Sequence, residues 1–146
     1  MKEVNSMYAT TVWNGGRSFT IKGDSGYDIQ IDATPGYKGE GKGNTPIELL
    51  IGSLAGCIGI DVTMILNPHL DKVDSLTVEV DTTRSEEAPK PITAYVVRFV
   101  MTGSIEPKKV WHAIKLGKEK YCSVSASLKG DITYELVLNG EKIEAI

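Results

Sequence analysis

Apolar and polar residues alternate with a period of two through the first third of the chain. Phe19 and Ile21 are flanked by polar neighbours, and so are Tyr27, Ile29 and Ile31, which predicts strands with one buried face. Asp24-Ser25-Gly26 supplies turn chemistry between the two runs and predicts a hairpin. Tyr8 to Trp13 adds a third antiparallel strand, and the glycine-rich stretch from Gly36 to Asn44 reads as a loop.

The pattern then changes. Thr45 is a good N-cap, Pro46 suits the first helical turn, and Glu48 falls where a capping-box carboxylate reaches back. From Leu49 to Leu66 apolar and small residues cover every face except at Asp61, so this helix has to be buried on several sides. Asn67-Pro68 ends it. Strands are predicted from Leu76 to Thr83 and from Ile92 to Thr102, with Pro89 and Pro91 excluding the connection from a sheet interior. Pro107 opens a second, amphipathic helix carrying Val110, Ile114, Gly117 and Tyr121, which Cys122 closes. Ile132, Tyr134, Leu136 and Leu138 mark a last strand. Strands grouped as βββ-α-ββ-α-β indicate an α+β fold with a mostly antiparallel sheet. One small sheet and one amphipathic helix cannot cover a helix that is apolar all round. A homodimer is therefore expected.

The length of 146 residues predicts a single domain spanning 1–146. A net charge of −3 with scattered basic residues gives no footprint for nucleic acid. No apolar run near the N-terminus resembles a secretion signal. Only the twelve residues between Glu48 and Asp61 lack charge, too few to span a bilayer, so no membrane partner is expected. These readings place the protein in the cytoplasm, where cysteines are free or transiently paired.

Candidate chemistry narrows quickly. In the glycine-rich loop Gly41-Lys42 is followed by Gly43, not by the Ser or Thr of a phosphate-binding loop, so a flexible connector is the better reading. His69 and His112 lie on different segments without metal-ligand spacing, and no metal or cofactor is expected. The serines show no nucleophile-elbow motif. Two cysteines remain, 65 residues apart. Cys57 is packed among Gly52, Ser53, Ala55, Gly56 and Gly59, which leave room for a substrate or for close helix packing. Cys122 lies beside Lys118 and Lys120, a more polar place than a core position. A buried, inert thiol is the commonest fate of a free cysteine. Asp61, one turn beyond Cys57, would disfavour a thiolate unless it turns aside.

At these residues the chain resembles the OsmC/Ohr family of osmotically inducible and organic-hydroperoxide-resistance proteins. The resemblance rests on Thr45-Pro-Ile-Glu-Leu-Leu, on Gly56-Cys-Ile-Gly-Ile-Asp-Val and on Glu119-Lys-Tyr-Cys-Ser-Val-Ser. The strand–helix order agrees over nearly the whole chain, and the motifs look most like an OsmC-like branch. The resemblance implies an intertwined homodimer with a long buried central helix and two active sites at the subunit interface. It also implies a thiol peroxidase in oxidative-stress defence, in which Cys57 attacks a hydroperoxide, preferably an organic one, and becomes a sulfenic acid. Cys122 then resolves it into a disulfide, which a dithiol reductant such as a lipoylated protein reopens. In the family an arginine from the N-terminal sheet lowers the thiol pKa and a glutamate orients that arginine. Gly15-Gly16-Arg17 resembles the arginine-bearing segment, so Arg17 is the candidate. The better-known members carry the glutamate directly after the proline, where this chain has Ile47. Glu48, one residue on, is turned by about 100°. Glu48 is thus the orienting carboxylate or only the cap partner of Thr45, and Glu86 or Glu87 could take the orienting role.

Two functions follow from different classes: a Cys57/Cys122 peroxidase, or a non-catalytic protein that binds a hydrophobic small molecule at the dimer interface. Only the first needs the sulfurs to meet.

Overall fold

The computed structural model describes residues 6–146, in two compact units that divide at Leu50 and Ile51. The first unit is built on an antiparallel sheet of β1 (Ala9–Trp13), β2 (Phe19–Gly23) and β3 (Asp28–Ile31), paired in that order. Gly15 and Gly16, at φ 102° and 56°, make the turn between β1 and β2, and Arg17 follows directly. Asn14 closes this turn through its N–H to the Ser18 carbonyl (2.9 Å), while its amide donates to Thr20 Oγ1 (2.8 Å).

The glycine-rich loop is organised from its base by Asp32, which is 3% exposed. The Asp32 carboxylate accepts N–H bonds from Ala33 (2.7 Å), Glu40 (3.2 Å) and Lys42 (3.1 Å). Such a carboxylate satisfies its own burial by ordering the chain around it. Gly39 is required here, because a Cβ would collide with the Ala33 carbonyl; at Gly43 one would fall 2.7 Å from the Gln30 carbonyl oxygen. The predicted connector is thus an ordered loop. At its end the expected capping box forms: the Thr45 N–H donates to Glu48 Oε2 (3.1 Å) and the Glu48 N–H to Thr45 Oγ1 (3.3 Å).

Helix α1 runs from Pro46 to Ile65 and carries the chain into the second unit. That unit holds a four-stranded sheet of β4 (Val73–Arg84), β5 (Ile92–Gly103), β6 (Asp131–Leu138) and β7 (Glu141–Ile143), in that order. Two features depart from the sequence reading. The pairing of β5 with β6 is parallel, which requires a crossover; helix α2 (Pro107–Leu116) and the segment after it supply one. Strand β7 is three residues long, too short for its alternation to stand out. The α+β class with mainly antiparallel pairing stands.

One face of this sheet is the core. Tyr95, Val97, Phe99 and Met101 on β5 are buried, with Leu136 and Leu138 from β6 and Val110, Trp111, Ala113 and Ile114 from α2. From α1 come Leu54, Ile58 and Val62, spaced by four, all inaccessible to solvent. A Cβ at Gly59 would sit 3.5 Å from Val78 of β4, so the helix backbone lies close to the sheet. On the opposite sheet face Arg98 binds three carboxylates: Glu135 (2.8 Å), Asp81 (3.0 Å) and Glu79 (3.1 Å).

The expectation that α1 is buried on several sides is met on one side within this chain. Ile60 is 62% and Met64 69% exposed. By length and composition alone α1 could cross a bilayer. Its Leu54–Ile58–Val62 stripe is instead part of the core.

Asp32 yields a prediction with a defined sign. The Lys42 N–H, with those of Ala33 and Glu40 and the Lys42 ammonium, holds its carboxyl below the ordinary 3.8 against the opposing effect of burial. A depressed folded pKa means the stabilisation is complete above the unfolded value. It is lost as pH falls through the lowered one. Asp32→Ala should reduce hydrogen-exchange protection of the Glu40 and Lys42 amides on the order of tenfold at neutral pH. In the parent the same amide resonances should shift only below pH 3.8.

Candidate functional site

Cys57 and Asp61 are four residues apart on α1 and therefore share a face. Cys122 approaches them through an irregularity in the backbone. Helix α2 does not continue to Tyr121 as its periodicity suggests, but widens after Leu116 into a π turn over Gly117–Tyr121. The Cys122 N–H donates to the Gly117 carbonyl (2.8 Å), five residues back. Cys122 then caps a short helix, α3 (Ser123–Ser127), its sulfur accepting the Ser125 N–H at 3.4 Å. Turns of this kind often mark functional positions, because one extra residue per turn re-aims the side chains that follow.

The consequence is a three-group cluster inside the second unit. The sulfurs of Cys57 and Cys122 and a carboxylate oxygen of Asp61 all lie within 4.8 Å of one another. Both cysteines are free thiols. A disulfide needs its sulfurs roughly 2.05 Å apart, closer than this upper bound on the separation of the two thiols. Cys122 is 4% exposed, which corrects the expectation of a polar setting: the neighbouring lysines point elsewhere while the sulfur turns into the core. Asp61 does not turn aside.

Gly117 makes this approach possible. A Cβ there would fall 2.8 Å from Cδ1 of Ile58 and 3.4 Å from Cβ of Asp61. Ile58 is fully buried and has little room to yield. A side chain at 117 would have to displace the Ile58 terminus, so glycine lets the π turn rest on α1 at the level of the cysteines.

The electrostatics of the cluster are acidic. Burial pushes the Cys57 thiol up, the Val124 N–H opposes this by bonding to the sulfur, and Cys122 and Asp61 push it further up. None of these groups is a cation. Burial alone raises the Asp61 carboxyl, whose Oδ2 is enclosed without a hydrogen-bond partner among the described residues. Tyr134 Oη is likewise buried, its phenol raised by burial and by Cys122, with the Ser125 side chain opposing the shift through a hydrogen bond. Beside the cluster a cleft of about 270 Å³ is lined by Asp61, Met64, Ile65 and Tyr121.

The other predicted residues lie elsewhere. Arg17 belongs to the first unit, where it borders an apolar cleft of about 390 Å³ and donates to the Gly16 carbonyl (3.2 Å). Glu48, in the same unit, is engaged in the capping box, and no ion pair joins it to Arg17 among the described residues. Glu86 and Glu87 occupy the exposed β4–β5 connection. His69 and His112 line one cleft with Lys108 and Lys109, yet neither joins a cluster of three metal-ligating groups among the described residues. Sequence reasoning did not find the roles of Val124, Ser125 and Tyr134. The helical spacing of Ile114, Gly117 and Tyr121 runs straight through the π turn, so the sequence carries no signal for them.

Residues 39–137 match the family of OsmC-like proteins. The chain belongs to that family. It is 32% identical to Protein YhfA of Escherichia coli over 136 residues, which is 90% of this chain and 98% of that protein. Among solved structures, a hypothetical protein from Aquifex aeolicus superposes with a TM-score of 0.75 at 29% identity, covering 93% of this chain and 99% of the other. An organic hydroperoxide resistance protein OsmC from Legionella pneumophila shares the fold, with a TM-score of 0.65 at 16% identity over 94% and 98% of the two chains.

Gly117→Val should separate the π turn from α1 and slow formation of a Cys57–Cys122 crosslink by diamide. The rate should fall on the order of tenfold or more, with Gly117→Ala intermediate. Peptide mapping of the crosslinked fraction over time measures it.

Proposed function

We propose that this OsmC-like protein is a thiol-dependent peroxidase that reduces hydroperoxides, with organic ones preferred, in oxidative-stress defence. The observation that carries this reading is the placement of two free sulfurs within 4.8 Å of each other. A cleft reaches the Asp61 member of the cluster, and its other walls, Met64, Ile65 and Tyr121, suit the carbon skeleton of an organic hydroperoxide.

The chemistry is as follows. Cys57 thiolate attacks the terminal oxygen of ROOH, the O–O bond breaks, and the departing alkoxide takes a proton to leave as ROH. The sulfur keeps the oxygen as a sulfenic acid. The Cys122 sulfur attacks the Cys57 sulfur, the S–O bond breaks, and water leaves as the disulfide forms. A dithiol reductant, with lipoylated proteins one candidate, returns both thiols by exchange. The backbone N–H groups of Val124 and Ser125 offer hydrogen bonds to the two sulfurs that strengthen as negative charge develops.

The first step needs thiolate, and the immediate surroundings of Cys57 act mostly against it. A cation is the missing component, and Arg17 is our candidate for it, with Glu48, Glu86 or Glu87 as the group that orients it. A homodimer fits the same reading, because a second copy would cover the exposed Ile60 and Met64 of α1. A reducing compartment such as the cytoplasm would keep both thiols ready.

One observation favours the alternative, a binding protein for a hydrophobic small molecule. A cavity of about 380 Å³ on the α2 side of the second sheet has Trp111, Ile114, Ile132, Tyr134 and Ile146 among its walls, with Lys115, Lys118 and Glu119 also lining it.

The cysteine variants separate the readings. Cys57→Ser should reduce consumption of an organic hydroperoxide to the background rate. Cys122→Ser should consume one equivalent and stop, leaving a sulfenic acid that dimedone traps on Cys57. Arg17→Ala should lower the rate on the order of tenfold or more, since one pKa unit alone changes the thiolate fraction tenfold. Undiminished turnover in Cys57→Ser would leave the small-molecule reading.

A further inference from the structure

We propose that Cys57, Asp61 and Cys122 of the reduced chain form a binding site for a thiophilic divalent cation, with Zn²⁺ the ion that fits. The argument begins with placement. Three ligand atoms from two separate elements converge within 4.8 Å, two from one face of α1 and one from the end of the π turn. Around a tetrahedral zinc ion, bonds of roughly 2.3 Å to sulfur and 2.0–2.2 Å to oxygen put neighbouring donors about 3.5–3.8 Å apart. The donors reach that spacing through side-chain shifts of about 1 Å.

A second observation points to a missing partner. Asp61 Oδ2 is buried with no hydrogen-bond donor among the described residues. An unpartnered buried carboxylate oxygen is costly, and a cation would satisfy it. The sulfurs already have outer support, from the Val124 N–H to Cys57 and the Ser125 N–H to Cys122. Backbone donors of this kind hold metal-bound thiolates in orientation and share their charge.

The donor set selects the ion. Two sulfurs and one oxygen suit zinc or cadmium; magnesium and calcium demand oxygen alone. Three protein ligands leave a fourth position for water or a small ligand entering from the cleft of Met64, Ile65 and Tyr121. On binding, the two thiol protons pass to solvent, and no electron is transferred. The sequence hides the site: Cys57 and Asp61 show only an i, i+4 spacing, and Cys122 is 61 residues beyond Asp61.

The test uses the full reduced chain and Zn²⁺ alone, titrated against a chromogenic chelator with no peroxide present. One ion should bind per chain, and it should protect both cysteines from iodoacetamide. Co²⁺ in its place should give an intense sulfur-to-metal charge-transfer band. Cys57→Ser and Cys122→Ser should abolish that band or halve it. Asp61→Asn should weaken binding by at least the roughly tenfold to hundredfold that even outer-shell partners contribute. Oxidising the parent with diamide, which needs no substitution, should release the ion, and re-reduction should restore binding. Absence of stoichiometric binding overturns the proposal. So does binding that is indifferent to the cysteine variants or equal in a folded Asp61→Asn protein. Because no hydroperoxide enters these measurements, their failure and that of the peroxidase reading are independent.

Discussion

The contact of Gly117 with α1 is the constraint on which the site depends. Cys57 and Asp61 are fixed to each other by helix geometry, but Cys122 reaches them only because a π turn rests on Ile58 and Asp61 without an intervening side chain. The same turn redirects the chain so that Cys122 caps α3. A regular helix through this region would have carried Cys122 round its axis with the others, by about 100° per residue. One glycine and one extra residue in the turn therefore convert two unrelated thiols into a pair.

This pairing brings an electrostatic difficulty. Cys57 shares one partly buried place with Cys122 and Asp61, and burial and both neighbours make its ionisation harder. Such a cluster has two physical resolutions. Positive charge can arrive as a side chain, which favours a single thiolate and leaves it nucleophilic. It can also arrive as a metal ion, which deprotonates both thiols and occupies their lone pairs. The two outcomes exclude each other at any moment. Under the two proposals, the state of the thiol pair depends on a cation that the three residues do not themselves supply.

Much of this architecture was legible beforehand. The Thr45-Pro46-Glu48 box stated where α1 begins, and alternation gave the strands from β1 to β6, because both signals are local. The failures were non-local or involved backbone detail. Asp32 carries no signal in its neighbours; only the fold shows three amides converging on it. The parallel pairing of β5 and β6 depends on the crossover and not on either strand's own pattern. Cys122 was read as polar from Lys118 and Lys120, yet side chains adjacent in sequence leave a helical turn in different directions. Asp61 was noticed, but its enclosure could not be read from a spacing.

The exposed side of α1 bears on function as much as on fold. Its inner stripe of Leu54, Ile58 and Val62 satisfies the sheet, and Cys57 and Asp61 lie on the flank that meets the π turn. Ile60 and Met64 remain in water, and Met64 also lines the cleft beside Asp61, with Tyr121 58% exposed at its edge. A surface that covered these apolar groups would at the same time wall the cleft and raise the dielectric isolation of the thiols. Burial strengthens every charge interaction within reach, so a cation delivered there would act on Cys57 far more strongly than it could in open solvent. Under the proposed function, hydrophobic cover for the helix and activation of the sulfur become one physical requirement, which the proposed second copy of the chain would meet.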